Sequence, residues 1–216
     1  NATITNARVT GIADNADGSK SVSVSYTISG NTVNDTFTMA STGSNFLVFP
    51  DWNVTTPLLK EIQVTADSAI SEISINGIEV TEENAVSGSL DSGLVFKVYP
   101  GTYRVAAAES DFIATEPITV NTYDTSYAYI DAEPTDALTE AIQSEIDAQL
   151  QVCAASTEAE PEGCPFGKYV YLKDRYRNFA WSITESPVID YVDLSSGMFS
   201  ASVGEAEVTY EYRIND

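Results

Sequence analysis

One helical pattern stands out in a chain whose other patterns are those of strands. Within the stretch from Pro134 to Tyr169, apolar side chains recur every three or four residues, at Leu138, Ile142, Ile146, Leu150 and Cys153. This spacing places them on one face of an α-helix, and Thr135 or Asp136 is a suitable N-cap residue. We therefore predict a single long helix over residues 135–153. Any sheet that this helix covers must come from the strand-like sequence around it.

The two cysteines of the chain, Cys153 and Cys164, flank a polar loop directly after this helix. Two cysteines without a histidine cannot complete a tetrahedral zinc site by themselves. The alternatives are a disulfide and two unrelated free thiols, and the polar surroundings favour the disulfide. A bond that closes this loop would stabilise the fold by about 3 kcal/mol on the chain-entropy model. It would also place the protein in an oxidising compartment, outside the cytosol.

Alternating patterns divide the chain into three predicted units. Residues 1–60 carry the clearest alternation, from Val22 to Ile28, and form a β unit. Residues 61–133 hold the Asn76–Gly77 pair of a type I′ hairpin, and their short strands and frequent turns are typical of a small β-sandwich. Residues 134–216 combine the helix and the disulfide loop with further strands. The predicted fold class is mainly β with one long helix, an α+β fold.

Two weaker patterns add detail to this division. Residues 4–28 and 183–214 share an order of short strand, polar turn, short strand and alternating strand. The first unit is therefore interpreted as the sheet half of a repeat that lacks its helix, and two unrelated β-meanders are the alternative. Shorter patterns predict strands at Phe46–Phe49 and Tyr169–Leu172 and a type II turn at Pro100–Gly101.

The formal net charge of −22 excludes several classes of partner. Ten lysines and arginines stand against 32 aspartates and glutamates. Nucleic-acid binding needs a positive surface, so we expect no nucleic-acid partner, and an anionic membrane surface would repel the chain. No run approaches the roughly 20 apolar residues of a membrane span, so membrane attachment would depend on an anchor outside this chain. The balance suits an acidic, extracellular protein.

The types of residue present also argue against catalysis. The chain has no histidine, so neither a Ser-His-Asp nor a Cys-His arrangement can form. We predict that the protein is not an enzyme, with no catalytic residues, no metal and no cofactor. Carboxylate pairs can act in glycosidases, but with so many acidic residues, solvated surface charge is the favoured interpretation. The same holds for weak calcium binding by Glu158, Glu160 and Glu162 or by Asp14 and Asp17.

One stretch of this acidic chain is rich in basic residues. Four of the ten basic residues follow the disulfide loop and are interleaved with aromatic residues. Arginine beside aromatic rings can bind an anionic or sugar ligand. The candidate ligand surface consists of Lys168, Tyr169, Tyr171, Lys173, Arg175 and Arg177. The alternative is that these side chains pair with nearby carboxylates and stack on their own sheet.

A covalent crosslink is a further hypothesis for the sandwich. Lys60 and Asn121 bracket that unit, with Glu79 or Glu116 as an acid, as in the lysine–asparagine crosslinks of some Gram-positive surface sandwiches. An intact mass that lacks one ammonia, beyond the hydrogens lost to the disulfide, would reveal it.

Three short motifs carry a resemblance to a known family. They are Phe46–Trp52 in the first unit, Val98–Tyr103 in the second, and Cys153 with Glu162–Gly167 in the third. In this order they resemble the extracellular region of Gram-positive, actinobacterial membrane-anchored surface proteins of the teicoplanin-resistance-associated type. The resemblance implies a cell-surface location and a membrane anchor in the full-length protein. It also implies a last unit similar to nuclear-transport-factor-2-like (NTF2-like) or cystatin-like folds, in which a helix lies on a curved sheet.

Three functional hypotheses remain open. The first is a non-catalytic extracellular module of the cell envelope, a spacer or recognition region that meets a cell-wall polymer or another surface protein. The second is a small-ligand binder with a pocket between the helix of residues 135–153 and the last sheet. The third is a carboxylate-based hydrolase, which needs two acids that line one cleft.

Overall fold

The structure, a computed structural model, describes residues 4–45 and 49–214. Half of the described residues are in strands and 12% are in helices, so the predicted mainly β, α+β class with one long helix is confirmed. The predicted strand at Phe46–Phe49 falls largely on residues outside those described, and so does the centre of the Phe46–Trp52 motif.

Contacts divide the chain into two compact units. The first comprises residues 1–108 and 115–132, and the second comprises residues 109–114 and 133–216. The finer division into three units, with a boundary near residue 60, stays a prediction.

An antiparallel meander of four strands begins the first unit. The strands pair in chain order: β1 (Thr5–Asp14), β2 (Lys20–Ile28), β3 (Asn31–Asn45) and β4 (Phe49–Thr56). On β2, the alternating residues Val22, Tyr26 and Ile28 are buried, as the sequence pattern predicts. Strands β2 and β3 are joined by Ser29 and Gly30, with φ angles of 49° and 84°. Positive φ at both positions is typical of a tight type I′ hairpin.

The rest of the first unit is a sandwich of two sheets around a shared apolar core. The strands that follow the meander are β5 (Lys60–Ala66), β6 (Ile73–Ile75), β7 (Ile78–Val80), β8 (Leu94–Val98), β9 (Thr102–Ala107), β10 (Ile113–Ala114), β11 (Ile118–Asn121), β12 (Tyr127–Ile130) and β13 (Glu133–Pro134), of which β10 and β13 belong to the second unit. One sheet has the order β11-β9-β6-β7 and the other the order β12-β5-β8, in which β12 and β5 are parallel. Ile62 and Ile130 from one sheet meet Val105 and Val120 from the other in this core, and all four are fully buried.

The two turns that the sequence predicts in this region have different outcomes. Ile75 pairs with Ile78 across Asn76 and Gly77, whose φ angles of 53° and 80° confirm the type I′ hairpin. The predicted type II turn is wrong, because Gly101 lacks the positive φ that such a turn requires. Instead, the Gly101 amide donates to the Thr122 hydroxyl at 3.0 Å, so a neighbouring loop fixes this turn.

The second unit contains the one α-helix of the described residues, α1 (Asp136–Ala154), within one residue of the prediction at each end. The Thr135 side chain caps it by accepting a hydrogen bond from the Leu138 amide at 3.2 Å. Leu150 and Cys153, on the predicted apolar stripe, are buried. The short strands β10 and β13, before the helix, pair with each other.

The strands after the helix form two separate ladders. They are β14 (Tyr176–Glu185), β15 (Ile189–Asp193), β16 (Met198–Ala201) and β17 (Glu205–Tyr212), and β14 pairs with β17 while β15 pairs with β16. The first sheet instead pairs its strands consecutively, and this difference disfavours the proposed repeat. Residues 169–172 do not form the predicted strand but lead into a 3-10 helix, Lys173–Arg175. The NTF2-like or cystatin-like assignment stays a prediction.

Candidate functional site

The predicted disulfide between Cys153 and Cys164 is confirmed, and it ties the last turn of α1 to the loop that follows. Trp181 on β14 contacts the same loop. Its indole N–H donates to the Glu158 carbonyl at 2.9 Å, and its ring lies 4.8 Å from that of Phe166. The disulfide and Trp181 therefore fix the start of the segment that carries the predicted ligand surface.

The segment that follows the disulfide loop exposes two tyrosine side chains to solvent. Val170 is buried, whereas Tyr169 and Tyr171 on either side of it are 75% and 85% exposed. The Lys168 amide donates to the Ala159 carbonyl at 2.6 Å, which fixes where the segment leaves the loop. Two exposed rings on an anchored backbone can lie flat against a ligand with little further loss of conformational freedom.

The predicted arginines follow at the start of β14. The Arg175 guanidinium donates from Nη1 to the Tyr212 hydroxyl at 3.3 Å. Arg177 donates from Nε to Glu211 Oε2 at 2.9 Å, and both of these side chains are more than half exposed. Exposed pairs of this kind contribute about 1 kcal/mol or less, so the contact orients Arg177 more than it stabilises the fold.

Pairing with β17 adds residues that the sequence prediction missed. The Arg213 amide donates to the Arg175 carbonyl at 2.9 Å, which places a fifth cation beside the predicted ones. The rings of Tyr210 and Tyr212 lie 5.3 and 4.9 Å from the ring of Tyr176. The alternation of Tyr210 and Tyr212 was a signal that they share a strand face, but their proximity to β14 depends on the strand pairing.

The predicted segment and the end of β17, which pairs with the start of β14, together make up what we call the basic–aromatic surface. It consists of Lys168, Tyr169, Tyr171, Lys173, Arg175, Tyr176, Arg177, Tyr210, Tyr212 and Arg213. Within the described residues, Arg177 is the one cation of this surface that pairs with a carboxylate. The alternative of pairing and stacking therefore holds for Arg177, and for Arg175 through its tyrosine partner. Lys168, Lys173 and Arg213 keep their charges available to a ligand.

Helix α1 is tied directly to the chain at the start of β15. The Gln143 side chain donates from Nε2 to the Pro187 carbonyl at 2.9 Å, and its Oε1 accepts from the Ile189 amide at 3.1 Å. Leu150 on the helix and Phe179 on β14 are both buried. These contacts favour packing of the helix on the strands over a pocket in this gap, although the predicted pocket stays a hypothesis.

Among the described residues, three carboxyl groups have a pKa below the usual value, the direction opposite to that needed by a general acid. The Ser195 and Ser196 hydroxyls each donate to Asp193 at 2.7 Å, and these bonds lower the pKa of Asp193 to about 2. A side-chain hydrogen bond is also the largest cause of the lowered pKa of Asp17 and of Glu211. Donors stabilise the ionised form, so these groups act as hydrogen-bond acceptors rather than as acids.

The described residues contain no cluster of three or more His, Cys, Asp or Glu side chains with the arrangement of a metal site. Asp14 pairs with Lys20, and Asp17 accepts hydrogen bonds from the amide and the hydroxyl of Ser19. The acidic turn before β2 therefore satisfies its carboxylates with protein donors, which disfavours calcium there.

Lys60 lies against Asp35 and not against Asn121. Its Nζ is 2.5 Å from Asp35 Oδ1, while Asn121 Oδ1 accepts hydrogen bonds from the backbone amides of residues 123–125. These contacts disfavour the Lys60–Asn121 crosslink, which stays a hypothesis that the intact mass tests. Asp35 also accepts from the Tyr26 hydroxyl, and burial together with this bond raises the pKa of Tyr26 far above its usual value.

Comparisons with known proteins give this surface no precedent. No family model, no curated protein and no solved structure matches the chain. None of the helices in the described ranges combines the length and the apolar character needed to cross a bilayer.

Proposed function

We propose that the protein is a non-catalytic recognition module of the cell envelope, which binds an anionic polymer through the basic–aromatic surface. One observation carries the proposal. Lys168, Lys173 and Arg213 have no carboxylate partner among the described residues, although the chain has 32 acidic residues against ten basic ones. Cations that an acidic protein leaves unpaired on one surface favour an anionic ligand.

The distribution of these groups favours a polymer over a single small anion. The cations come from several elements: the end of the disulfide loop, the 3-10 helix, the start of β14 and the residue after β17. Exposed Tyr169 and Tyr171 add apolar ring faces between them. Repeated negative groups on a sugar or polyol chain would meet the cations one by one, while its carbon skeleton packs on the rings.

The disulfide supports a site of action outside the cytosol, because such bonds persist in oxidising compartments. An anionic cell-wall polymer is the partner that suits both a location outside the cytosol and the resemblance to Gram-positive surface proteins. Another surface protein with an acidic face is the second class of partner. Attachment to a membrane would depend on an anchor outside this chain.

The other two functions have weaker support. The small-ligand pocket under α1 competes with the direct hydrogen bonds from Gln143 to the chain around Pro187. The carboxylate hydrolase needs one acid with a raised pKa, whereas Asp17, Asp193 and Glu211 have lowered ones.

A calorimetric titration with three defined polymers tests the proposal. The probes are poly(glycerol phosphate), hyaluronan and neutral dextran. We expect both polyanions to bind better than dextran, and their binding to weaken as salt screens the exposed charges. Equal binding of all three polymers, or specific turnover of any wall substrate, would overturn the proposal.

A further inference from the structure

A cavity of about 840 Å³ opens on the first sheet of the first unit, and it shares no residue with the basic–aromatic surface. Its wall includes Val9 of β1, Val24 of β2, Phe37 of β3 and Val54 of β4, so all four strands contribute to it. Leu58, in the connection to β5, lines it as well. The volume lies within the range of about 300–1,000 Å³ that is usual for small-molecule sites.

The apolar lining is open to solvent. Val9 is 57% exposed, Val54 is 51% exposed and Tyr99, from the loop after β8, is 66% exposed. Single exposed apolar residues are common, but several that line one concave face are typical of a binding site. A ligand with an apolar body would remove these side chains from water.

Arg8 is the one charged residue among the described residues of this lining. It is exposed, and no described residue accepts an ion pair or a hydrogen bond from its side chain. Tyr26 also lines the cavity, and its hydroxyl donates to Asp35, whose carboxylate is also paired with Lys60. The cavity therefore combines an apolar wall with a single unpaired cation.

From this combination we infer that the first sheet binds a long-chain carboxylate, with its tail along the apolar wall and its head group at Arg8. A guanidinium pairs with a carboxylate through two parallel hydrogen bonds. One arginine in the cavity therefore suits a ligand with one carboxylate head group. A bilayer is a poorer occupant, because the net charge of −22 opposes approach to an anionic surface. The site lies in the first unit and uses no residue of the proposed polymer surface, so the two proposals can fail separately.

Titration with laurate at concentrations below micelle formation tests the inference. Dodecyltrimethylammonium has the same tail with a positive head, and decanoate has the same head with a tail two methylenes shorter. We expect laurate to bind one to one and more tightly than the cationic amphiphile. Each methylene lost should weaken binding by about four-fold.

The variant Arg8→Gln should weaken laurate binding by about ten-fold, the effect of one charged hydrogen-bonding partner. Arg104→Gln removes an equal charge from an exposed position on β9 and should leave the affinity unchanged. Methyl NMR locates the ligand, since Val9, Val24 and Val54 should shift on titration while valines of the second unit should not.

Four results would overturn the inference. They are equal binding of laurate and the cationic amphiphile, equal affinities of the wild type and Arg8→Gln, laurate shifts confined to the second unit, and a self-associated protein that does not bind laurate. Binding to vesicles of anionic phospholipid without binding of monomeric laurate would also overturn it, in favour of a membrane contact.

Discussion

The amide of Arg213 donates to the carbonyl of Arg175 at 2.9 Å. Arg175 directly precedes β14 and Arg213 directly follows β17, and this bond makes them neighbours in the backbone. Among the described residues, neither guanidinium has a carboxylate partner. Two cations carried at neighbouring backbone positions both attract an anionic ligand. This relationship makes the end of the β14–β17 ladder the part of the basic–aromatic surface that should respond most to a polyanion.

Loss of the disulfide should destabilise the second unit. The bond joins residues 11 positions apart, and a loop of that size corresponds to about 3 kcal/mol on the chain-entropy model. Urea unfolding of the oxidised and reduced protein, followed by Trp181 fluorescence in a Trp52→Phe background, measures the difference. Because Trp181 holds the same loop, its signal should report the loss directly. Identical midpoints before and after reduction would contradict this prediction.

Gln143→Ala should destabilise the second unit by about 1–3 kcal/mol, because it removes both hydrogen-bonding partners from the backbone around Pro187. Gln151→Ala is the matched control, since Gln151 lies on the same helix and is exposed. It should change the free energy of unfolding by less than about 0.5 kcal/mol. Equal effects of the two substitutions in urea unfolding would mean that the Gln143 contacts do not hold the helix in place.

Two glycines of the first unit should respond in opposite ways to alanine. Gly77→Ala should destabilise by about 1–2 kcal/mol, because the φ of 80° is unfavourable for a residue with a Cβ. Gly11 lies within β1 without such a φ, and an added Cβ would meet only Ser23 Cβ at 3.9 Å. Gly11→Ala should therefore be neutral or slightly stabilising. Thermal unfolding of the two variants compares them, and a destabilised Gly11→Ala would contradict the assignment.

Asp193 should titrate near pH 2 in the folded protein. The hydroxyls of Ser195 and Ser196 stabilise its ionised form, and this lowers the pKa from 3.8 to about 2. The resulting stabilisation is present above pH 3.8 and is lost as the pH falls through about 2. Carboxyl-carbon NMR measures the titration directly. In a Ser195→Ala/Ser196→Ala variant the pKa should rise towards 3.8, and an unchanged value would contradict the role of the hydroxyls.

The elements predicted well are those that a short stretch of sequence determines. The 3.6-residue period and the N-cap Thr135 predict both ends of the helix to within one residue. The Asn76–Gly77 pair predicts the hairpin between β6 and β7, because few residues tolerate positive φ. The turn at Gly101 differs from its prediction because the Gly101 amide donates to the hydroxyl of Thr122, which is 21 residues further along the chain. Local propensity carries no information about such a partner.

The candidate site shows the same limit. The residues from Lys168 to Arg177 were found because they are contiguous, whereas Arg213 and Tyr212 reach them only through the β14–β17 register. The cavity at Arg8 was not predicted, since it needs side chains from four strands and two loops to meet. The contact of Gln143 with the chain around Pro187 also lies beyond local pattern, because it depends on both of its amide atoms finding backbone partners in a later segment.

The central claim is tested most directly by the affinity for poly(glycerol phosphate) of two variants with equal net charge. Lys173→Gln/Arg213→Gln removes two unpaired cations of the basic–aromatic surface, and Lys97→Gln/Arg104→Gln removes two exposed cations of the first unit. The first variant should bind about ten-fold more weakly than the wild type, at up to about 1 kcal/mol for each exposed charge, and the second should bind like the wild type. Equal affinities for the two variants would contradict recognition through this surface.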